Sequence, residues 1–496
     1  MASPRPHRSP QPIDRVLSPI QSFMAAEASA GILLLAMAAV AMIWANLPGD
    51  SGQSYFDLWH TEINVSVGGH GEAHGAHEEH LGSHGDIPGG GVAAAPESWL
   101  DYLTLKHDLH WWINDALMAI FFLVVGLEIK RELLVGELSS VRKAAVPIVA
   151  AIGGMVGPAL IYAALNWGTP EISGWGVPTA TDIAFAVGVL VLLGKRVPLA
   201  LKVFLLALAI VDDLGAVLVI ALFYTESLHI PSLGIGFAVL ALLGLFNITG
   251  VRKPLVYLLF GVLVWLAFVK SGVHATIAGV LVAITVPASM RIDASKFKEE
   301  AKSALDRFSD VGKHDNDVPT NNERQHAVHA LEVGCEDVQT PLTRLEHMLH
   351  PWVTFFIMPI FALANAGVRL EGMDTSMLLG PVALGVAGGL FFGKLIGVFG
   401  ATFLAVKLGI GQLPRGVGWT KIAAVSMLAG IGFTMAMFVA GLAYESPTTL
   451  DTAKLGVLIG STVSGVIGFL VLRSATKLPP SVRAAQEEES PNTPAL

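Results

Sequence analysis

Apolar and polar positions alternate along this chain on a long scale. Extended apolar runs lie at 28–47 and at about 103–130, 143–165, 177–194, 199–224, 231–247, 255–269 and 272–287. After a polar insert they resume at about 345–366, 380–406, 421–443 and 453–472. A run of about 20 apolar residues crosses a bilayer as a helix. Backbone groups inside a bilayer must be satisfied within the segment itself. The pattern therefore predicts an all-α integral membrane protein of about twelve transmembrane helices, spanning 21–475. Four stretches interrupt it: a Pro-, Ser- and Arg-rich lead over 1–20, a loop over 48–100, a charged insert over 288–339 and a polar tail over 476–496. Lead and tail read as disordered. A signal peptide is the rival reading of the first run, but such peptides start their apolar core sooner.

Composition agrees. Of 496 residues, 53% are hydrophobic and 14% charged, with a mean hydropathy of +0.61. That is too apolar for a soluble domain of this size. The formal net charge of −9 matters less than where the charges fall. Lys130, Arg131, Arg142 and Lys143 lie between spans two and three, Lys195 and Arg196 between four and five, and Arg252 and Lys253 between six and seven. Lys407, Arg415 and Lys421 lie between ten and eleven, and Arg473, Lys477 and Arg483 follow twelve. The alternate connections, such as NWGTPEISGWG and FYTESLHIPS, carry few basic residues or none; Lys270 and Arg369 are exceptions. By the positive-inside rule both termini and the 288–339 insert are cytoplasmic, and the 48–100 loop is outside.

That outer loop carries His70, His74, His77, His80 and His84 among Gly, Glu and Asp. Such a segment is either a solvated loop of biased composition or a weak buffer for metal ions or protons. In the insert, Phe297, Ala301, Ala304, Leu305 and Phe308 recur at helical spacing among basic residues, which fits a surface helix at the membrane interface or a solvated linker. Cys335, the only cysteine, excludes an intrachain disulfide and is given no role.

The chemistry centres on LALKVFLLALAIVDDLGAVLVIALFY, 199–224, with Asp212 and Asp213 at its middle. One charge at the centre of a membrane helix costs about 2.5–3.5 kcal/mol on insertion scales. Two in succession mark a functional site, and neighbours about 100° apart around a helix face different surroundings. Span four adds Asp182, preceded by Thr181, in GVPTATDIAFAVG, whose Pro, Gly and Thr weaken helical continuity. Span eleven has a matching weak point, Gly430, Gly432 and Thr434 in MLAGIGFTMAMF. Interrupted helices at corresponding places, here in spans three to five and ten to twelve, point to an inverted-repeat transporter with its site at the midplane. Lys394 lies deep in span ten. A buried ammonium needs a partner, and Asp212, Asp213 and Asp182 are the available ones. Protonated, these acids are stable in a low-dielectric interior. A small hard cation such as Na⁺ or Li⁺ can replace the protons, because it prefers oxygen ligands. Competition for the same oxygens couples two fluxes. No P-loop is present, which argues against a primary pump. No enzyme activity, cofactor or nucleic-acid partner is indicated.

The stretch PTATDIAFAVGVLVLLGKRVPLALKVFLLALAIVDDLGAVLVIALFYT resembles the core of the NhaA family of bacterial sodium/proton antiporters. So do INDALMAIFFLVVGLEIKRE, LEHMLHPWV, PIFALANAG and AGIGFTMAMF; the likeness runs from about 20 to 475. The resemblance implies discontinuous spans four and eleven crossing at midplane. It makes Asp213 and Asp212 the exchanging pair that binds Na⁺ or Li⁺, with Asp182 and Thr181 beside them and Lys394 paired to Asp212 when no cation is bound. It implies electrogenic, alkali-activated exchange of two inward protons per outward cation, an inner-membrane location and a homodimer. Two polar clusters, Glu128, Arg131 and Glu132 on one face of span two and Glu346, His347 and His350 at the start of span nine, fall at the family's cytoplasmic pH-sensing funnel; from the residues alone they read equally as salt bridges and solvated helix ends. Asp115 and His274 match accessory positions. The His-rich loop sits where the family has a β-hairpin linked to dimer contacts. The alternative function is a sodium-coupled solute symporter.

Overall fold

A computed structural model of the chain describes residues 12–65, 105–225, 228–290, 293–310, 322–371, 375–414 and 416–476. The expectations for 1–11, the histidine cluster and the tail beyond 476 lie outside these residues.

Among them, eight apolar helices are long enough to cross a membrane: Leu109–Leu134, Ala144–Leu165, Pro170–Leu192, Leu199–Phe223, Ile230–Ile248, Pro341–Asn365, Pro381–Lys407 and Pro447–Ala475. A ninth crossing is a pair, Trp419–Leu428 and Phe433–Ala443, bent by 47°. Shorter apolar helices at Ser29–Ala45, Pro254–Val269 and Thr276–Thr285 bring the number to twelve, in the order the hydropathy pattern predicts. The first helix starts at Pro12, inside the stretch read as a tail.

Spans three and ten form the most extensive helix contact, and the sequence explains it. Gly153 and Gly157 on one helix meet Gly393 and Gly397 on the other, each pair one turn apart. A Cβ on Gly393 would lie 2.5 Å from the Pro158 Cα, and one on Gly157 would lie 3.0 Å from the Gly397 Cα. Only glycine allows backbones this close, and in lipid such packing replaces the hydrophobic drive that lipid cannot supply. Close approach brings Lys394, one residue after Gly393, into the interior.

Span four is broken. Its first half is a 3-10 helix, Pro170–Thr179, its second an α-helix, Ile183–Leu192, and Ala180 and Asp182 between them are extended. Proline at 178 removes a donor and disfavours α geometry before it. Span eleven breaks at Ala429–Gly432, between its two helices. Short π-helical turns interrupt span two at Trp112–Leu117, span nine at Val353–Ile357 and span ten at Gly389–Gly393. Such turns occur often at functional sites.

Two expectations change. The His-rich loop does not replace a hairpin. Glu62–Val65 and Leu105–Asp108 pair antiparallel, Ile63 opposite His107, so 66–104 joins two strands of a retained ladder. Where described, the insert is two helices and not one. Ala294–Asp310 packs on a second helix, Asn322–Val338. Ala304 and Ala327 are buried, the Phe297 ring lies against Gly334, and the Arg324 guanidinium covers the Phe308 ring at 5.4 Å. Much of the apolar stripe therefore packs on a partner helix, while Leu305 stays exposed. Arg344 of span nine bonds Glu336 of this second helix at 3.1 Å.

Candidate functional site

The breaks in spans four and eleven meet. The Asp182 N–H donates to the Ile431 carbonyl at 2.6 Å, and the Thr181 hydroxyl oxygen, whose one proton is shared with Asp212, lies 2.8 Å from the Ala429 carbonyl. Each interrupted backbone thus satisfies groups that the other left open, as irregular backbone at membrane depth requires. Gly432 is needed for the approach, because a Cβ there would sit 2.9 Å from the Ala180 carbonyl.

The Asp182 carboxylate lies where two helix N-termini converge. It caps span four's second half by accepting the Phe185 N–H at 3.1 Å. Its other oxygen accepts the Thr434 N–H at 3.1 Å and the Thr434 hydroxyl at 2.5 Å, at the start of span eleven's second half. Helix N-termini carry partial positive charge and unpaired N–H groups, so this buried acid is held by two dipoles. Ser461 of span twelve completes the turn by accepting the Gly432 and Phe433 N–H groups at 3.2 and 3.1 Å.

Asp212 and Asp213 are buried in the unbroken span five, and their side chains diverge as adjacent helix positions must. Asp212 turns toward spans four and ten: one oxygen accepts the Thr181 hydroxyl at 2.5 Å and pairs with Lys394. Lys394 is fully buried. Gly154 lies beside the pair, and a Cβ there would press on the Val398 side chain at 2.8 Å. Asp213 turns instead into a narrow cleft of about 60 Å³, whose lining includes Asp182, Glu128 and His350. One oxygen of each of Asp212 and Asp213 is buried without a hydrogen-bond partner. Buried acceptors are nearly always satisfied, so each of these acids keeps one acceptor that the fold leaves open.

The cleft runs toward the end of the bundle that carries the insert. Glu128 of span two and His350 of span nine both line it, and His350 Nδ1 lies 3.5 Å from the Thr354 hydroxyl. Beside it Arg131 joins the two predicted clusters, pairing with Glu346 of span nine and lying 3.4 Å from Glu132. Glu346 is buried and its Oε2 has no hydrogen-bond partner. Span nine begins as its sequence suggests, with Thr340 capping it and Pro341 in the first turn.

Of the residues singled out in the sequence, Asp182, Asp213, Glu128 and His350 line one cleft, Thr181, Asp212 and Lys394 stand behind it, and Arg131, Glu132 and Glu346 form a linked group. His347 is exposed. Asp115, on the π turn of span two, and His274, before the short span eight, are half-buried and do not line the cleft. The sequence reading missed two residues. Thr434 was part of a helix break and not a partner of Asp182. Ser461 drew no attention, although GSTVSG is a run of small polar residues inside an apolar helix.

Comparisons with known proteins supply the family. Residues 21–80 and 94–472 match the family described as Na+/H+ antiporter 1. The chain belongs to that family. It is 50% identical over 468 residues to the Na(+)/H(+) antiporter NhaA of Oleidesulfovibrio alaskensis, a match covering 94% of this chain and 96% of that protein. It is 44% identical to the NhaA antiporter of Koribacter versatilis, covering 95% of each, and 44% identical to that of Wolinella succinogenes, covering 91% and 92%. In this Na+/H+ antiporter 1 member the bent spans and the intramembrane acids occur together at one crossing.

Proposed function

We propose that the chain is a secondary antiporter of the bacterial inner membrane that moves Na⁺ or Li⁺ outward in exchange for inward-moving protons. The observation that carries this reading is the acid pair: Asp213 faces the cleft with an open oxygen, while Asp212 behind it is held by Lys394. A cation arriving at Asp213 meets hard oxygen ligands. Its charge, added near the Lys394 ammonium, weakens the Lys394–Asp212 pair and frees a second carboxylate. Protons reverse the exchange by neutralising the same oxygens. Two protons per cation fit two acids that each alternate between the states.

The cleft would face the cytoplasm in the state described, since the basic connections favour cytoplasmic termini. Rocking of the crossed spans against their surroundings would open the site to the other face. In this reading Glu128, Arg131, Glu132, Glu346, His347 and His350 set the pH response at the cytoplasmic mouth, and Asp115 and His274 are accessory. The paired strands Glu62–Val65 and Leu105–Asp108 support a homodimer built through the outer hairpin. A symporter needs an organic-solute pocket beside the acids, whereas the cleft lining beyond its few polar groups is aliphatic and aromatic.

Acridine-orange dequenching in everted vesicles tests the proposal. Na⁺ or Li⁺ should collapse an imposed proton gradient with no organic solute present, and Asp213→Asn should abolish the response. A full response in Asp213→Asn vesicles would remove Asp213 from the mechanism.

A further inference from the structure

A second cavity, of about 290 Å³, opens at the end of the bundle opposite the insert. It lies among the connections that join spans three to four, nine to ten and eleven to twelve. Its polar lining is Asn166, Thr169, Glu171, Thr448, Thr449 and Thr452, with no Lys, Arg or His among the lining residues. We propose that this cavity is a second cation site, which takes one partly hydrated Na⁺ or Li⁺ on the outer face.

The polarity of the lining carries the argument. Asn166 is fully buried. Its amide nitrogen donates to the Tyr162 carbonyl at 3.1 Å and the Pro381 carbonyl at 3.0 Å. Both partners are acceptors, so the amide orientation is settled, and the Oδ1 is left as a buried acceptor with no partner. Two of the four threonine hydroxyls are committed in the same sense. Thr169 donates to the Asn166 carbonyl at 3.0 Å and Thr452 to the Thr448 carbonyl at 2.8 Å. With their hydrogens engaged, these hydroxyls offer the cavity lone pairs. Glu171 adds one carboxylate that makes no ion pair with any described residue.

A lining of oxygen acceptors with one negative charge and no cationic side chain repels anions and suits a hard cation. The charge count selects the valence. Tight Ca²⁺ sites use several carboxylates, whereas one carboxylate balances a monovalent ion. The cavity is wide enough to leave that ion part of its water. It also touches the broken span. Tyr162, whose carbonyl holds Asn166, donates its hydroxyl to the Glu171 carbonyl at 2.7 Å in the first turn of span four's 3-10 half. This inference stands on the cavity's own atoms and not on the exchange reading, so either can fail without the other.

The test is ²³Na NMR line broadening on the full-length purified protein carrying Asp213→Asn, which silences the inner acid. Saturable broadening should persist there. Adding Glu171→Gln should weaken it about tenfold or more, the loss expected when a contact to a charged group goes, while Glu171→Asp should retain it within a few-fold. Asn166→Ala removes two hydrogen bonds of the fold, so the near-isosteric Glu171→Gln is the deciding variant, with its thermal unfolding checked alongside. Absence of broadening in Asp213→Asn, or broadening indifferent to Glu171→Gln, overturns the proposal. Displacement of Na⁺ by Ca²⁺ at concentrations below the half-saturating Na⁺ overturns the monovalent assignment.

Discussion

Thr434 gives both of its donors, the backbone N–H at 3.1 Å and the hydroxyl at 2.5 Å, to a single oxygen of Asp182. These residues belong to different broken helices, 252 positions apart. The bond therefore fixes how the two breaks lie against each other, and not only where one side chain points.

Replacing Thr434 by Val keeps the shape and removes the hydroxyl from a buried carboxylate. The expected loss is about 1.5–3 kcal/mol, the worth of a hydrogen bond to a charged group. Thr434→Ser should restore most of it. Thermal unfolding of the two variants, read beside Na⁺-dependent dequenching, separates the hydrogen bond from the methyl packing.

Lys394→Ala strands a carboxylate in the interior. Breaking a buried pair from one side costs about 3–5 kcal/mol, mostly because the remaining charge lacks compensation. The Asp212→Asn, Lys394→Ala double variant should then be more stable than Lys394→Ala alone. Unfolding midpoints of the four proteins in that cycle measure the coupling, and additive losses would show that the pair contributes nothing as a pair.

Gly397→Ala drives a methyl into the Gly153 backbone carbonyl at the contact of spans three and ten. Overpacking of this kind costs about 1–3 kcal/mol. Because the contact also seats Lys394, transport should fall along with the melting temperature. Gly400→Ala, three residues later with open space around its missing Cβ, is the control and should leave both unchanged.

The hairpin of Glu62–Val65 and Leu105–Asp108 should loosen in acid. Partial burial, reinforced by the Lys270 charge, holds the His107 imidazole below its ordinary range, and the ring stacks on Trp111 at 3.8 Å. A base whose folded-state value is depressed contributes stability that is complete above its unfolded value and is lost as pH falls through the folded one. Amide exchange in 62–65 and 105–108 should therefore speed up as pH drops below the usual histidine range, after correction for intrinsic rates. His107→Gln should remove that dependence.

The chain's own pattern determined the number and order of the crossings, the divergence of Asp212 and Asp213 and the weak points in spans four and eleven. These are local properties: apolar run length, 100° per residue, and backbone groups that Pro and Gly leave unpaired. Tertiary structure decided the rest. From charge alone Lys394 had three possible partners, and the Gly393–Gly397 contact with span three set it on Asp212. Arg131 reads locally as one face of span two, yet its strongest partner is Glu346, 215 residues away. The amphipathic stripe at 294–310 was legible, but whether lipid or Asn322–Val338 would cover it was not. Two strands separated by the long His-rich stretch still found their register. A stripe, a break or a charge specifies what it needs; only packing determines which distant segment supplies it.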